Sequence, residues 1–203
     1  MNKITTFIID IGKVLLYFDH KIITGRLSKI SKYSQDEIHA FMFDAKFINQ
    51  FEKGKISEKE FYRRVCRKLG ITVSFDKFKM LFSDIFTPNP SLHKVIRKLK
   101  GKYRLCIFSN TDKTHYDYLY KKYPFMRTFD SYYLSYKIGA MKPELKMFRT
   151  LLKKEKVKPQ ECVYIDDIAK YTDAAKKLGI NTFQYKSTSQ FLKDLKTLNI
   201  HIK

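Results

Sequence analysis

Short apolar runs recur at residues 6–9, 103–108, 130–134, 162–165 and 182–185, each about as long as a buried strand. Between most of them the apolar positions shift to the three-to-four-residue spacing of a helix that hides one face. Residues 90–100 carry Leu92, Val95, Ile96 and Leu99 on one side and stop before Gly101. Pro143 is placed to open a further helix, with Phe148, Leu151 and Leu152 turned inward and Pro159 beyond its end. Residues 169–178 run up to Gly179, as does a helix with glycine just past its C-terminus. This alternation predicts an α/β fold with a mainly parallel sheet covered on both faces.

One interval departs from the alternation. Between the first and second predicted strands the pattern stays helical. Ile38, Phe41, Met42 and Phe47 fit one amphipathic helix. Ser57 with Glu60 makes the capping-box pattern of another, with Phe61, Val65 and Leu69 on its inner face. Phe75, Phe78, Leu81, Phe82 and Ile85 mark a third. The expectation is a core of residues 1–17 and 89–203, interrupted by a helical insertion over 18–88.

Composition changes this picture little. A chain of 203 residues, 44% of them hydrophobic, can bury one sizeable core and carry an insertion. The balance of 41 Lys and Arg against 20 Asp and Glu leaves a formal charge of +21. Such a field could attract nucleic acid, anionic membranes or small anionic substrates. The lysines are scattered over nearly every helix, however, and no recognition motif accompanies them. They read as a solvated surface, and no specific nucleic-acid partner is expected. The 3 cysteines are widely spaced with no CxxC pair, and Cys106 and Cys162 fall inside strands, as buried thiols do. The N-terminal apolar run is short and broken by Asp10, and no segment approaches the roughly 20 apolar residues of a membrane span. A cytoplasmic protein with no membrane partner is expected.

Candidate chemistry emerges from the residues just past each strand, because open parallel sheets bind ligands beyond the carboxyl ends of their strands. The run FIIDIGKVLLYFD (residues 7–19) puts Asp10 where its strand ends. YRLCIFS leads into Ser109, Asn110 and Thr111, and CVYID into Asp166 and Asp167. Lys142 stands just ahead of the helix expected at Pro143. Three carboxylates, a hydroxyl and an ammonium would then converge on one edge of the sheet. A carboxylate can attack phosphorus, and a divalent cation with oxygen ligands, such as Mg²⁺, can bridge it to a phosphate. A hydroxyl, backbone N–H groups and a lysine can hold the phosphoryl oxygens.

In that order, DIGKV, SNT, KP and DD resemble the four motifs of the haloacid dehalogenase-like hydrolases, over nearly the whole chain. The resemblance implies a Rossmann-like three-layer core with an inserted helical-bundle cap. It implies Asp10 as nucleophile and Lys142 as its catalytic partner. Ser109, Asn110 and Lys142 would bind phosphate, and Asp10, Asp166, Asp167 and the Gly12 carbonyl would bind Mg²⁺. FINQFEKGKISEKEF and the DxGxV form of the first motif are most similar to the subgroup containing α-D-glucose-1-phosphate phosphatase. In this family the turn at Glu52, Lys53 and Gly54 faces the active site, so Glu52 and Lys53 become candidate substrate contacts.

The resemblance has one gap. Most family phosphatases carry a second Asp two residues after the nucleophile as general acid and base, and here that position is Gly12. The leaving alkoxide would need its proton from water or from a cap residue. Lys13 is unusual beside the nucleophile and is expected to extend to solvent, and Tyr171 stands where the family often has Asn. The expected function is Mg²⁺-dependent hydrolysis of a small phosphorylated metabolite, such as a sugar phosphate, through an aspartyl-phosphate. Two other readings are a metal-independent 2-haloacid dehalogenase, which the acidic pair disfavours, and a non-catalytic binding protein using its basic surface.

Overall fold

A computed structural model describes residues 3–202. The first apolar run forms β1 (Thr6–Ile9), buried throughout, followed by a short strand β2 (Leu16–Phe18). Five helices come next: α1 (His20–Ser28), α2 (Gln35–Met42), α3 (Ala45–Glu52), α4 (Glu58–Leu69) and α5 (Phe75–Ser83). Strand β3 (Phe86–Pro88) leads into α6 (Pro90–Leu99), β4 (Arg104–Ser109) and α7 (Lys113–Lys122). The chain continues through β5 (Ser131–Leu134), α8 (Ser135–Ile138), α9 (Leu145–Glu155) and β6 (Cys162–Asp166). It ends with α10 (Ala169–Lys176), β7 (Asn181–Gln184) and α11 (Thr188–Thr197).

The main sheet has the order β5-β4-β1-β6-β7, and all of its pairings are parallel. Side chains alternate across it, as the strand period requires. Phe7, Ile9, Leu105, Ile107, Val163 and Ile165 pack against α6, α7 and α11. Ile8, Cys106, Phe108, Cys162 and Tyr164 pack against α9 and α10 on the other face. The result is the expected α/β arrangement of three layers. Its strand order reverses beside β1, and that is where such sheets open a crevice.

Helices α1–α5 gather around a separate apolar cluster that includes Ile23, Ile38, Phe51, Phe61, Phe78 and Phe82. Side chains of Ser34, Asp44, Ser57 and Ser74 each accept from the backbone N–H three residues on, which fixes four helix starts in this segment. The two ends of the segment meet, because β2 pairs antiparallel with β3 in the register Leu16↔Pro88. Among the described residues no helix is long and apolar enough to cross a membrane.

Several local expectations are corrected. Ile38 and Phe47 belong to two helices, because Asp44 caps a new start at α3. Ser57 makes only half of the capping box, since the Glu60 carboxylate bonds Arg64 instead. Ile85 lies beyond the end of α5. The helix expected at Pro143 begins at Leu145, with Glu144 at its N-cap. The expected core range takes in Met1, Asn2 and Lys203, which lie outside the described residues.

Candidate active site

Asp10, Ser109 and Asp166 stand at the carboxyl ends of β1, β4 and β6, three adjacent strands, so the parallel register alone brings them to one edge. The loop before α9 adds Lys142, whose side chain is buried. Its Nζ donates to Asp10 Oδ1 at 2.7 Å, Asp166 Oδ2 at 2.6 Å and the Phe108 carbonyl at 3.2 Å. Asp166 also accepts from the Tyr164 hydroxyl, and its Oδ1 accepts from the Ile168 N–H at 2.9 Å. Asp167 beside it is half-buried. Carboxylate oxygens of Asp10, Asp166 and Asp167 all lie within 4.8 Å of one another.

The charges explain the protonation behaviour. Burial pushes the Asp10 carboxyl up to about 7; Lys142 opposes the shift and Asp166 reinforces it. Burial also raises Asp167, helped by Asp166. For Lys142 burial favours the neutral amine, but Asp10 and Asp166 outweigh it and hold the ammonium well above the usual lysine range. Three carboxylates against one ammonium leave the cluster short of positive charge.

Asn110 borders the site, and its side chain also braces the lysine loop. Its Nδ2 donates to the Lys142 carbonyl at 3.1 Å and its Oδ1 accepts from the Lys142 N–H at 2.8 Å, which pins the lysine loop to the end of β4. Tyr171 lies under the same lysine, with Nζ 5.1 Å from its ring centroid. Gly12 sits in a tight turn whose next residue, Lys13, has φ 53°. A Cβ at Gly12 would lie 2.9 Å from Phe18 Cε1, so the Phe18 ring holds the space a side chain would use.

These groups border a cavity of about 270 Å³ that includes Asp10, Gly12, Lys13, Ser109, Lys142 and Asp167. Glu52 closes it from α3, while Lys13 is exposed at its rim. An inner recess of about 100 Å³ continues past Ser109 and Glu52 to His20 and His115. Lys53 does not join the two; its Nζ pairs with Glu144 Oε1 at 2.8 Å. A larger cavity, about 660 Å³, lies at the amino ends of the strands among Lys3, Tyr103 and Asn181, away from these charges.

Two groups at the site escape the sequence reading. Ser135 Oγ accepts from the Thr111 N–H at 2.9 Å and reaches the Glu52 carbonyl at 2.6 Å, joining the loop after β4 to α3. Its signal was available, since it directly follows β5 as Ser109 ends β4. His115 is buried; its Nδ1 faces Asp112 Oδ2 at 2.7 Å and its Nε2 faces the Phe82 carbonyl at 3.1 Å.

The structure thus sets a lysine-bridged carboxylate cluster at the switch point of a Rossmann-type sheet. The chain belongs to the haloacid dehalogenase-like hydrolases, whose family model matches residues 4–179. It is 24% identical over 200 residues to D-ribitol-5-phosphate phosphatase of Bacteroides thetaiotaomicron, covering 95% of this chain and 97% of that protein. A haloacid dehalogenase family enzyme of the same organism, solved with magnesium and inorganic phosphate, superposes with a TM-score of 0.81 at 27% identity, covering 90% of this chain and 94% of that one. A predicted family hydrolase from Porphyromonas gingivalis shares the fold with a TM-score of 0.82 at 23% identity, covering 98% of both chains.

Proposed function

We propose that the protein is a Mg²⁺-dependent phosphatase for small phosphomonoesters, with sugar or sugar-alcohol phosphates as the substrate class. The observation that carries this reading is the Asp10–Lys142–Asp166 bridge, with Asp167 beside it, lining a cavity of about 270 Å³. That volume suits a small metabolite. The relatives support the reading from outside: one is named for a sugar-alcohol phosphate, and another was crystallised with magnesium and phosphate.

Lys142 takes Oδ1 of Asp10, which leaves Oδ2 to attack phosphorus and form an aspartyl-phosphate. Lys142 and Ser109, with backbone N–H groups after Ser109, hold the phosphoryl oxygens as charge develops. The donor set fits a hard divalent cation, being all oxygen, close-set and short of positive charge. Bound by Asp10, Asp166, Asp167 and the Gly12 carbonyl, Mg²⁺ would offset the phosphate charge and keep Asp10 ionised. Water then hydrolyses the acyl-phosphate and frees Asp10.

Residues 18–88 serve as the cap over a core of 1–17 and 89–203, with Glu52 turned to substrate and the bulk solvent excluded. Kinship with the α-D-glucose-1-phosphate phosphatase subgroup belongs to this proposal, on the strength of Gly12 and the turn after α3. A screen of phosphorylated metabolites with and without Mg²⁺ tests it. Turnover of sugar phosphates that stops on chelation is expected; full activity in excess chelator, or no turnover of any phosphate, refutes it.

A further inference from the structure

Expelling an alkoxide from phosphorus calls for a proton at the leaving oxygen, and Gly12 has no side chain to supply one. The Phe18 ring, 2.9 Å from where a Cβ would stand, fills the space beside it. Several titratable groups border the cavity or its recess, and most are already engaged. Asp112 Oδ1 accepts from the His115 N–H at 2.9 Å, while its Oδ2 faces His115 Nδ1. His20 stacks flat on Phe43, ring centroids 4.0 Å apart, and burial lowers its pKa to about 4, so its ring is neutral near pH 7 and a very weak acid. Asp167 belongs to the carboxylate cluster, and Lys13 is exposed at the rim.

Glu52 differs from all of these. It borders the outer cavity with Asp10 and Lys142 as well as the inner recess. Among the described residues its carboxyl makes no hydrogen bond or ion pair, yet its attachment is fixed. Ser135 Oγ holds its carbonyl at 2.6 Å. Two residues on, Gly54 (φ 66°) approaches the Tyr136 carbonyl so closely that a Cβ would lie 2.3 Å from the oxygen. Burial, then Asp112, push the Glu52 carboxyl up to about 7, against the pull of His115 and Lys142, so it retains a proton in the neutral range.

We propose that Glu52 is the general acid and base of the reaction, acting from α3 in place of the carboxyl absent at position 12. The assignment rests on the phosphatase reading. In the first half-reaction Asp10 forms its bond to phosphorus as the ester P–O bond breaks, and the Glu52 carboxyl transfers its proton to the departing alkoxide. In the second, the Glu52 carboxylate takes a proton from water as the water oxygen attacks phosphorus. The Asp10–phosphorus bond breaks, releasing inorganic phosphate and restoring both side chains.

The test compares two leaving groups in the Mg²⁺-loaded enzyme. An alkoxide needs the proton, whereas p-nitrophenolate leaves without one. Glu52→Gln should lower kcat/KM for ribitol 5-phosphate by about 10²- to 10⁴-fold, and for p-nitrophenyl phosphate by less than about 3-fold. Equal losses on both substrates, or none on either, overturn the assignment while leaving the phosphatase reading intact. A wild-type enzyme inactive on both and on every phosphate of the metabolite screen overturns the phosphatase reading and this assignment with it. Should Glu52→Gln fail to fold, Glu52→Asp keeps the acid one methylene shorter and should show the same split at smaller size; equal losses there are equally fatal.

Discussion

Lys142 Nζ lies 2.7 Å from Asp10 Oδ1, a contact between residues 132 apart in the chain. The same ammonium holds Asp166, so two buried carboxylates share one cation. Removing one member of a buried ion pair costs about 3–5 kcal/mol, because the charges left behind lose their compensation. Lys142→Met should therefore lose activity and melt well below wild type at pH 8. The pH dependence has a definite sign: burial already raises Asp10 to about 7, and loss of Lys142 raises it further. A carboxyl raised on folding gains stability as pH falls through its folded pKa, so the deficit should shrink between pH 8 and pH 5. Melting curves across that range, without divalent metal, check this.

Asp10→Asn keeps the side chain's shape but cannot form an acyl-phosphate. Turnover of an aryl phosphate should vanish while the circular dichroism spectrum stays native. Retention of more than a few per cent of wild-type activity (roughly a 2 kcal/mol change in barrier) would remove Asp10 from the nucleophile's place.

Asp166 and Asp167 should separate in a metal titration. Asp166 is buried and tied to Lys142, Tyr164 and the Ile168 N–H, whereas Asp167 is half-buried. Asp167→Ala should weaken Mg²⁺ binding by at least about 10-fold, by calorimetry, with little change in melting temperature. Asp166→Ala should lower the melting temperature as well, since it strands two buried donors. Undiminished Mg²⁺ affinity in Asp167→Ala would remove that residue from the metal site.

His115 ties α7 to α5 in a pH-dependent way. Both of its nitrogens face acceptors, Asp112 and the Phe82 carbonyl, so the doubly protonated ring satisfies the site. Burial opposes that charge, but Asp112 outweighs it and the pKa is raised. A histidine raised on folding contributes fully below its unfolded pKa, and the contribution is lost as pH rises through the folded value. His115→Gln should cost about 2 kcal/mol at pH 5.5, a drop of roughly 4–8 °C, and less at alkaline pH. A deficit that is flat with pH would mean the ring is neutral.

The strands of the main sheet were legible because each is a short apolar run ending at a polar residue, as in Phe7–Ile9 before Asp10. The cluster of Asp10, Ser109 and Asp166 was legible for the same reason, since a parallel register gathers strand ends; Lys142, in the loop before α9, was legible only from its place ahead of Pro143. Strands β2 and β3 were not, because each has three residues, Tyr17 is exposed, and their pairing is tertiary. The split between α2 and α3 turns on Asp44, whose cap interrupts a periodicity that otherwise runs on. Lys53 reads as a pocket residue from its turn, yet a distant Glu144 claims it. The burial of His115 depends on Phe82 from another helix, which no local pattern encodes.

The pairing of Leu16 with Pro88 also bears on how the molecule folds. Strands β1 and β4 are neighbours in the sheet, although roughly 95 residues separate them along the chain. Once the β2–β3 ladder has formed, the shortest path between them falls to roughly 23 residues, and the closure entropy drops by about 1.2 kcal/mol, two doublings' worth. The ladder would then act as an early clasp that lets the core condense without waiting for the intervening helices. Thr87→Pro, which spoils the ladder, should slow refolding by up to about 8-fold in stopped-flow mixing. An unchanged refolding rate would mean that β1 finds β4 unaided.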